Sequence, residues 1–332
     1  MKNYLVVGSG SIARRHITNL RTLFPNAEVA CVSASGRQVG ESETDANIVF
    51  SNISEALVWR PALAVIASPA PFHIQHSLQL LGVGVPVLVE KPLSDSLGTL
   101  NPCLDELGKF QDKIEVGYNL RYLSSAQYMK GLVDQAKVGE VLSISVDIGQ
   151  YLPDWRPNED YRKGVSARRE LGGGALLELS HEFDYITWIF GAFDDVYGVT
   201  SCSGVLDIDV EDRADIILSQ EGGLVANLHL DFLQRSATRN CKVVGTDGNL
   251  LWDLNKNSIA LERKDVSQIL FEDAGFDRNQ MYLDQLVNFE LLSRGVSTPV
   301  VGLASAVSII RLIEAVRQSV LTRRSVSLNE MM

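Results

Sequence analysis

Between residues 3 and 120 the chain alternates short apolar runs with amphipathic stretches, and that alternation restricts its fold more than any other feature. The runs YLVVG, EVACVS, ALAVIAS, PVLVEK and IEVGYN are separated by segments of helical pattern such as IARRHITNLRTLF, ISEALVWR, HIQHSLQLLGVG and LDELGKF. Apolar runs of this length, punctuated by Gly or Pro, suit strands buried on both faces of a parallel sheet with helices as crossovers. The expectation is α/β, with a doubly wound parallel sheet of Rossmann type over residues 1–120.

Past about residue 140 the period changes. In VLSISVDIGQY and GLVANLHLDF apolar and polar residues alternate, the pattern of a sheet covered on one face. The runs VYGVTSC, RADIILS, CKVVG and NLLWD add strands, and VVGTDGN carries an Asp-Gly hairpin signal. A second domain, 121–332, is therefore expected to be α+β with a mostly antiparallel open sheet. Its last long helix, about 303–321, has room to pack back on the first domain. The open sheet face also points to a homo-oligomer, a dimer or tetramer.

With 332 residues and 45% hydrophobic content the chain can bury a sizeable core. A formal net charge of -11 opposes a non-specific grip on polyanions, so neither nucleic acid nor an anionic membrane is an expected partner. Cys31, Cys103, Cys202 and Cys241 lie far apart without a CxxC pair, which fits a reducing cytoplasm. No run approaches the roughly 18 apolar residues that span a bilayer.

In YLVVGSGSIARRH, Gly8 and Gly10 follow a strand and precede a helix, with Ala13 at the third place of a G-x-G-x-x-G/A pattern. Glycine there permits a tight turn and lets a pyrophosphate approach the backbone, where the helix start, Ser11 and Ile12, offers N–H groups and a positive dipole end. A purely structural strand-to-helix turn could use the same glycines; the position opening a βαβ unit favours a dinucleotide. About 20 residues on, an acidic residue would bind the ribose 2′-OH of NAD. The chain instead offers Ser33, Ser35 and Arg37, which tolerate and pair a 2′-phosphate, so NADP is preferred to NAD.

Glu90, Lys91 and Pro92 in VLVEKPLSDS, Asn119 and Arg121 in VGYNLRY, the segment IASPAPFH and the glycine-rich GGGALLELSHEFD occur in an order that resembles the Gfo/Idh/MocA oxidoreductase family, over nearly the whole chain. The resemblance implies a Rossmann domain, a mostly antiparallel α/β domain, and a cleft holding nicotinamide and a sugar-like alcohol. It places a catalytic lysine on Lys91 and further cofactor contacts on Ser68, Pro69, His73 and Glu90. Physically, a lysine near a cationic nicotinamide has its charged form disfavoured and can polarise or relay a hydroxyl proton. Pro92 suits a rigid turn that aims it. His16, in RRHITNL, reads as a packing or capping residue.

Residues 172–185 crowd Glu178, His181, Glu182 and Asp184 together. Glu178 and His181 form a Glu-x-x-His unit, but a di-iron site needs two and the chain has no second, so no metal is expected. On one continuous helix, Glu178, His181 and Asp184 would share a face while Leu179, Phe183 and Ile186 face the core. The resemblance makes His181 the proton-relaying histidine and Glu178 a substrate carboxylate. Two departures stand: the family carries Asp where Glu178 stands, and places its histidine four residues on, which leaves open whether Glu182 takes the polar position.

Asn119, Arg121, Tyr161 and Arg168, with Asp184, complete the expected substrate contacts. The loop arginines favour a sugar carrying an anionic group. The expected function is hydride transfer between nicotinamide and a hydroxyl or carbonyl carbon of a sugar, sugar derivative or nucleotide sugar. The alternative is a Rossmann protein that senses dinucleotide or sugar without turnover.

Overall fold

The computed structural model describes residues 2–34, 40 and 44–331. The chain divides into two compact units, Met1–Asn119 with Arg278–Ile310, and Leu120–Asp277 with Arg311–Met332.

Unit 1 runs β1 (Asn3–Val7), α1 (Ser11–Leu23), β2 (Glu28–Val32), β3 (Ile48–Phe50), α2 (Ile53–Val58), β4 (Leu63–Ile66), α3 (His73–Leu81), β5 (Val87–Val89), α4 (Leu97–Leu100), α5 (Leu104–Gly108) and β6 (Ile114–Val116). Its six strands pair in parallel in the order β3-β2-β1-β4-β5-β6. The order reverses between β1 and β4, where open α/β sheets bind ligands outside the carboxyl ends of their strands. Leu63, Ala64, Val65 and Ile66 are all fully buried, as a strand covered on both faces requires.

The expected boundary at residue 120 misses one segment. The helix Gln280–Ser293 sends Leu286, Phe289 and Leu292 into the same core as Ala13, Ile17 and Leu20 of α1 and Tyr4 and Val6 of β1. Each such side chain, fully buried, stabilises by roughly 1.5–3 kcal/mol. A late segment therefore completes the first unit.

Unit 2 contains α6 (Ser124–Asp134), β7 (Val141–Gly149), α7 (Ala175–Glu178), α8 (His181–Phe190), β8 (Asp195–Ser201), β9 (Arg213–Ser219), β10 (Val225–Asp231), β11 (Thr238–Gly245), β12 (Gly248–Asp253), β13 (Ser258–Arg263), β14 (Val266–Glu272) and β15 (Val326–Ser327). These nine strands form one sheet, β14-β13-β12-β11-β7-β10-β9-β8-β15, antiparallel throughout except for β7 against β10. Alternation sets its faces: Ile144, Val146 and Ile148 are buried, while Ser145 and Asp147 are exposed. The expected Asp-Gly hairpin joins β11 to β12, with Gly245 opposite Gly248. Among the described residues no helix is long and apolar enough to cross a membrane.

Candidate active site

Unit 1 gathers its candidate groups where β1, β4 and β5 end. Gly8 has φ +131°, and a Cβ there would lie 2.4 Å from the Ala67 carbonyl oxygen, so glycine is required by backbone shape and by the approach of the two strand ends. At Gly10, which caps α1, a Cβ would meet nothing within 4 Å. The open space lies at the amino end of a 13-residue helix whose first N–H groups have no partner within the helix. Ser11 and Ile12 are half-buried there, and Ala13 is fully buried in the core, as the small third position demands. These features fit a dinucleotide pyrophosphate.

Ser33, which follows β2, is buried. Ser35 and Arg37 lie outside the described residues. Ser68 is buried and Pro69 half-buried just past β4. His73 opens α3. It is 1% exposed, with Nε2 2.7 Å from the Ser68 carbonyl oxygen and Nδ1 2.8 Å from the Pro92 carbonyl oxygen. It thus ties the turn after β4 to the turn after β5. Burial pushes its imidazole below the usual range, against the pull of the two carbonyls and Glu90. His76 takes a different partner, the Ser68 hydroxyl, at 3.1 Å, and burial pushes it down to about 4.

Lys91 follows β5, half-buried, and its peptide bond to Pro92 is cis. Glu90, 7% exposed, is bonded by His16 Nε2 at 2.6 Å. Asn119 is buried and hydrogen-bonds Tyr282, which Arg15 also contacts.

Unit 2 departs from the single helix expected to carry Glu178, His181 and Asp184. Gly174 has φ +106°, and its missing Cβ leaves room for the Glu211 carboxylate, which accepts a hydrogen bond from the Leu176 N–H at 3.1 Å. α7 starts there and is one separate turn that ends at Leu179 (φ −97°, ψ 26°), and a new helix starts at His181. Glu178 closes one helix and His181 opens the next, both half-buried.

The shared face of Glu178, His181 and Asp184 is therefore not formed. Asp184 is fully buried and takes both arms of Arg121, Nη2 at 2.7 Å and Nε at 3.1 Å. Two expected substrate contacts thus bind each other. Burial pushes the Asp184 carboxyl up, opposed by the guanidinium. Glu182 is equally buried, gripped by Arg239 at 2.8 and 3.1 Å, so it does not take the polar position left open by the sequence. Both carboxylates lie in the first turn of α8, where the helix dipole favours negative charge.

Tyr161 is half-buried in a short turn. The neighbouring arginines have acceptors within the loop region: Arg162 bonds Asp160, Arg168 pairs with Glu170 at 2.6 Å, and Arg169 bonds the Asp209 carbonyl. Among the described residues no three His, Cys, Asp or Glu side chains gather as a metal site.

Residues 2–118 match the model of an oxidoreductase family with an NAD-binding Rossmann fold, and residues 126–251 match the model of the GFO/IDH/MocA C-terminal domain. The chain belongs to the Gfo/Idh/MocA oxidoreductase family. Within the family it is 31% identical to glucose-6-phosphate 3-dehydrogenase of Bacillus subtilis over 192 residues, 57% of this chain and 54% of that protein. Inositol 2-dehydrogenase of Streptomyces avermitilis is 28% identical over 193 residues, 56% and 52% of the two chains. The matches span about half the length of these curated relatives. In fold the chain is similar to levoglucosan dehydrogenase in complex with NADH and levoglucosan, with a TM-score of 0.82 and 15% identity over 98% and 99% of the chains. Myo-inositol 2-dehydrogenase from Lactobacillus plantarum is similar at a TM-score of 0.81 and 18% identity, with the same coverage.

The pairings of His16 with Glu90, Arg239 with Glu182 and Glu211 with Leu176 were invisible in the sequence, where His16 read as a packing or capping residue. The partners lie 74, 57 and 35 residues apart, and no local pattern signals such a pairing.

Proposed function

We propose that this protein is an NAD(P)-dependent oxidoreductase acting on a hydroxyl or carbonyl carbon of a sugar or sugar derivative. One observation carries the reading: the Gly8–Gly10 turn, the Ser68 turn and Lys91 leave the carboxyl ends of β1, β4 and β5 on one edge of one parallel sheet. The names of the curated relatives, dehydrogenases of glucose 6-phosphate and inositol, support the substrate class.

Bound at the Gly10 end of α1, a nicotinamide dinucleotide would supply the hydride chemistry. In the oxidation direction His181 accepts the substrate hydroxyl proton, and Lys91 orients and polarises that oxygen. Glu178 bonds a neighbouring hydroxyl. Arg121 and Asp184 act on substrate only by holding the frame that carries His181. NADP is the preferred cofactor, because residues 33–40 contain no carboxylate and Arg37 can pair a 2′-phosphate. A homo-oligomer is supported by Tyr197, Val199 and Ile217, exposed side by side on neighbouring strands β8 and β9.

Purified protein with NADP⁺ or NAD⁺ and a panel including myo-inositol and glucose 6-phosphate tests the reading through absorbance of the reduced nicotinamide. Lys91→Ala and His181→Ala should each abolish turnover while keeping cofactor binding. Full turnover in either variant would overturn that residue's role, and cofactor binding without any turnover across the panel would favour a sensor. Light scattering on a sizing column reads the oligomer, and a monomer would count against it.

A further inference from the structure

His16 lies in the middle of α1 and is fully buried. Its Nε2 stands 2.6 Å from Glu90 Oε1, while its Nδ1 has no hydrogen-bond partner among the described residues. A proton on Nδ1 would be a buried donor without an acceptor, which is costly. The neutral ring therefore carries its proton on Nε2 and donates it to Glu90.

The second oxygen of Glu90 accepts the backbone N–H of Lys91 at 3.3 Å. Gly117, just past β6, makes the arrangement possible, since a Cβ there would come 3.1 Å from Glu90 Oε2 and 3.2 Å from Glu90 Cα. His73 of α3, Tyr282 of the helix Gln280–Ser293 and Lys91 itself are the other titratable groups that feel the Glu90 charge. Burial works against that charge, yet the His16 hydrogen bond and the Lys91 ammonium hold the carboxyl below the usual carboxylate range. A carboxylate so supported stays ionised, one residue before the lysine.

We propose that His16 is a positioning residue: through Glu90 it fixes the peptide and the negative potential from which Lys91 projects. The inference deepens the reading of Lys91 as the residue that polarises the substrate oxygen, and rests on it. Without His16, Glu90 is a buried carboxylate short of its donor, and takes up a proton. Lys91 then loses the negative charge behind it, and the carboxyl that holds its peptide loses its own anchor.

The test uses the full chain, with the best alcohol of the sugar panel and its preferred nicotinamide. His16→Leu and Glu90→Gln should each lower kcat by at least about tenfold with the KM for the alcohol little changed, and should move the pH profile of kcat to lower pH, the direction expected when a carboxylate beside an ammonium is neutralised. His16→Gln, whose amide can donate from the same place, should stay within about threefold of wild type, and the His16→Leu, Glu90→Gln double variant should be no slower than the slower single one. Should His16→Leu fail to fold, His16→Gln and Glu90→Gln still carry the comparison. Nitrogen-15 spectra of histidine-labelled protein should show His16 protonated on Nε2. An inactive Lys91→Ala beside His16→Leu and Glu90→Gln with wild-type kcat and pH profile would overturn this inference alone, as would an Nδ1–H tautomer. A fully active Lys91→Ala would remove the reading on which it rests.

Discussion

Arg121 and Asp184 grip each other through two hydrogen bonds, at 2.7 and 3.1 Å, with Asp184 fully buried and Arg121 7% exposed. Breaking a buried pair from one side leaves the other charge unmatched, so Asp184→Ala should destabilise the protein by about 3–5 kcal/mol. Replacing both, Asp184→Leu with Arg121→Met, should recover most of that loss. Thermal denaturation of the three proteins decides it; an equal drop in Tm for the double variant would contradict the pairing argument.

Gly8 and Gly10 should respond in opposite ways to one added methyl group. Gly8→Ala forces a side chain to φ +131° and against the Ala67 carbonyl, and should lower Tm markedly. Gly10→Ala meets no atom and has an ordinary φ of −72°, so its Tm should stay near wild type. Its dinucleotide affinity should nevertheless fall by tenfold or more, about 1.4 kcal/mol, because the methyl fills the space of the pyrophosphate. Fluorescence titration with NADH and NADPH reads this, and unimpaired binding by Gly10→Ala would remove the pyrophosphate from that place.

Cofactor choice rests on Arg37. Wild-type protein should bind NADPH more tightly than NADH, and Arg37→Ala should erase the difference by weakening NADPH alone. A wild-type preference for NADH would sink the idea.

His229 gives the second unit a pH dependence of known sign. Its partial burial opposes the charged form, yet Asp215 at 2.6 Å and Asp231 at 2.9 Å hold the imidazole above its ordinary 6.5. A histidine raised in the folded state contributes stability that is fully present below 6.5 and is lost as pH rises through the folded value. The Tm advantage of wild type over His229→Gln should therefore be larger at pH 6 than at pH 9. Its reversal would show that the two aspartates do not bind the ring as an imidazolium.

The first unit was largely legible because its strands bury both faces. Apolar runs such as LAVI then announce themselves without help from distant partners, and the glycine turn is fixed by local backbone shape. Strands of the second unit with clear alternation, VLSISVDIG and VANLHLD, were legible for the same local reason. β3, β13, β14 and β15 were not foreseen, and β14 shows why: its burial pattern has four exposed residues in succession, so no hydrophobic period marks it.

The candidate site was less legible. GGGALLELSHEFDY reads as one helix, because nothing in its local pattern marks the break after Glu178. The same holds for Asp184 and Glu182, whose roles depend on arginines 63 and 57 residues distant. A carboxylate looks identical in sequence whether it faces a ligand or a guanidinium. Only the partner, brought by tertiary structure, separates the two.

The division of the chain bears on how it is made. Core residues Tyr4 and Val6 wait for Leu286, Phe289 and Leu292, and Val196 in β8 waits for Val326 in β15. On a ribosome the first 119 residues emerge early, yet their unit lacks its closing helix until all of residues 120–277 has been synthesised. Vectorial folding, in which an N-terminal domain finishes before the next begins, is thereby closed to this protein. The apolar surface that the Gln280–Ser293 helix covers must stay open through most of translation, and a chain cut before residue 278 leaves the first unit without that helix and the second without β15.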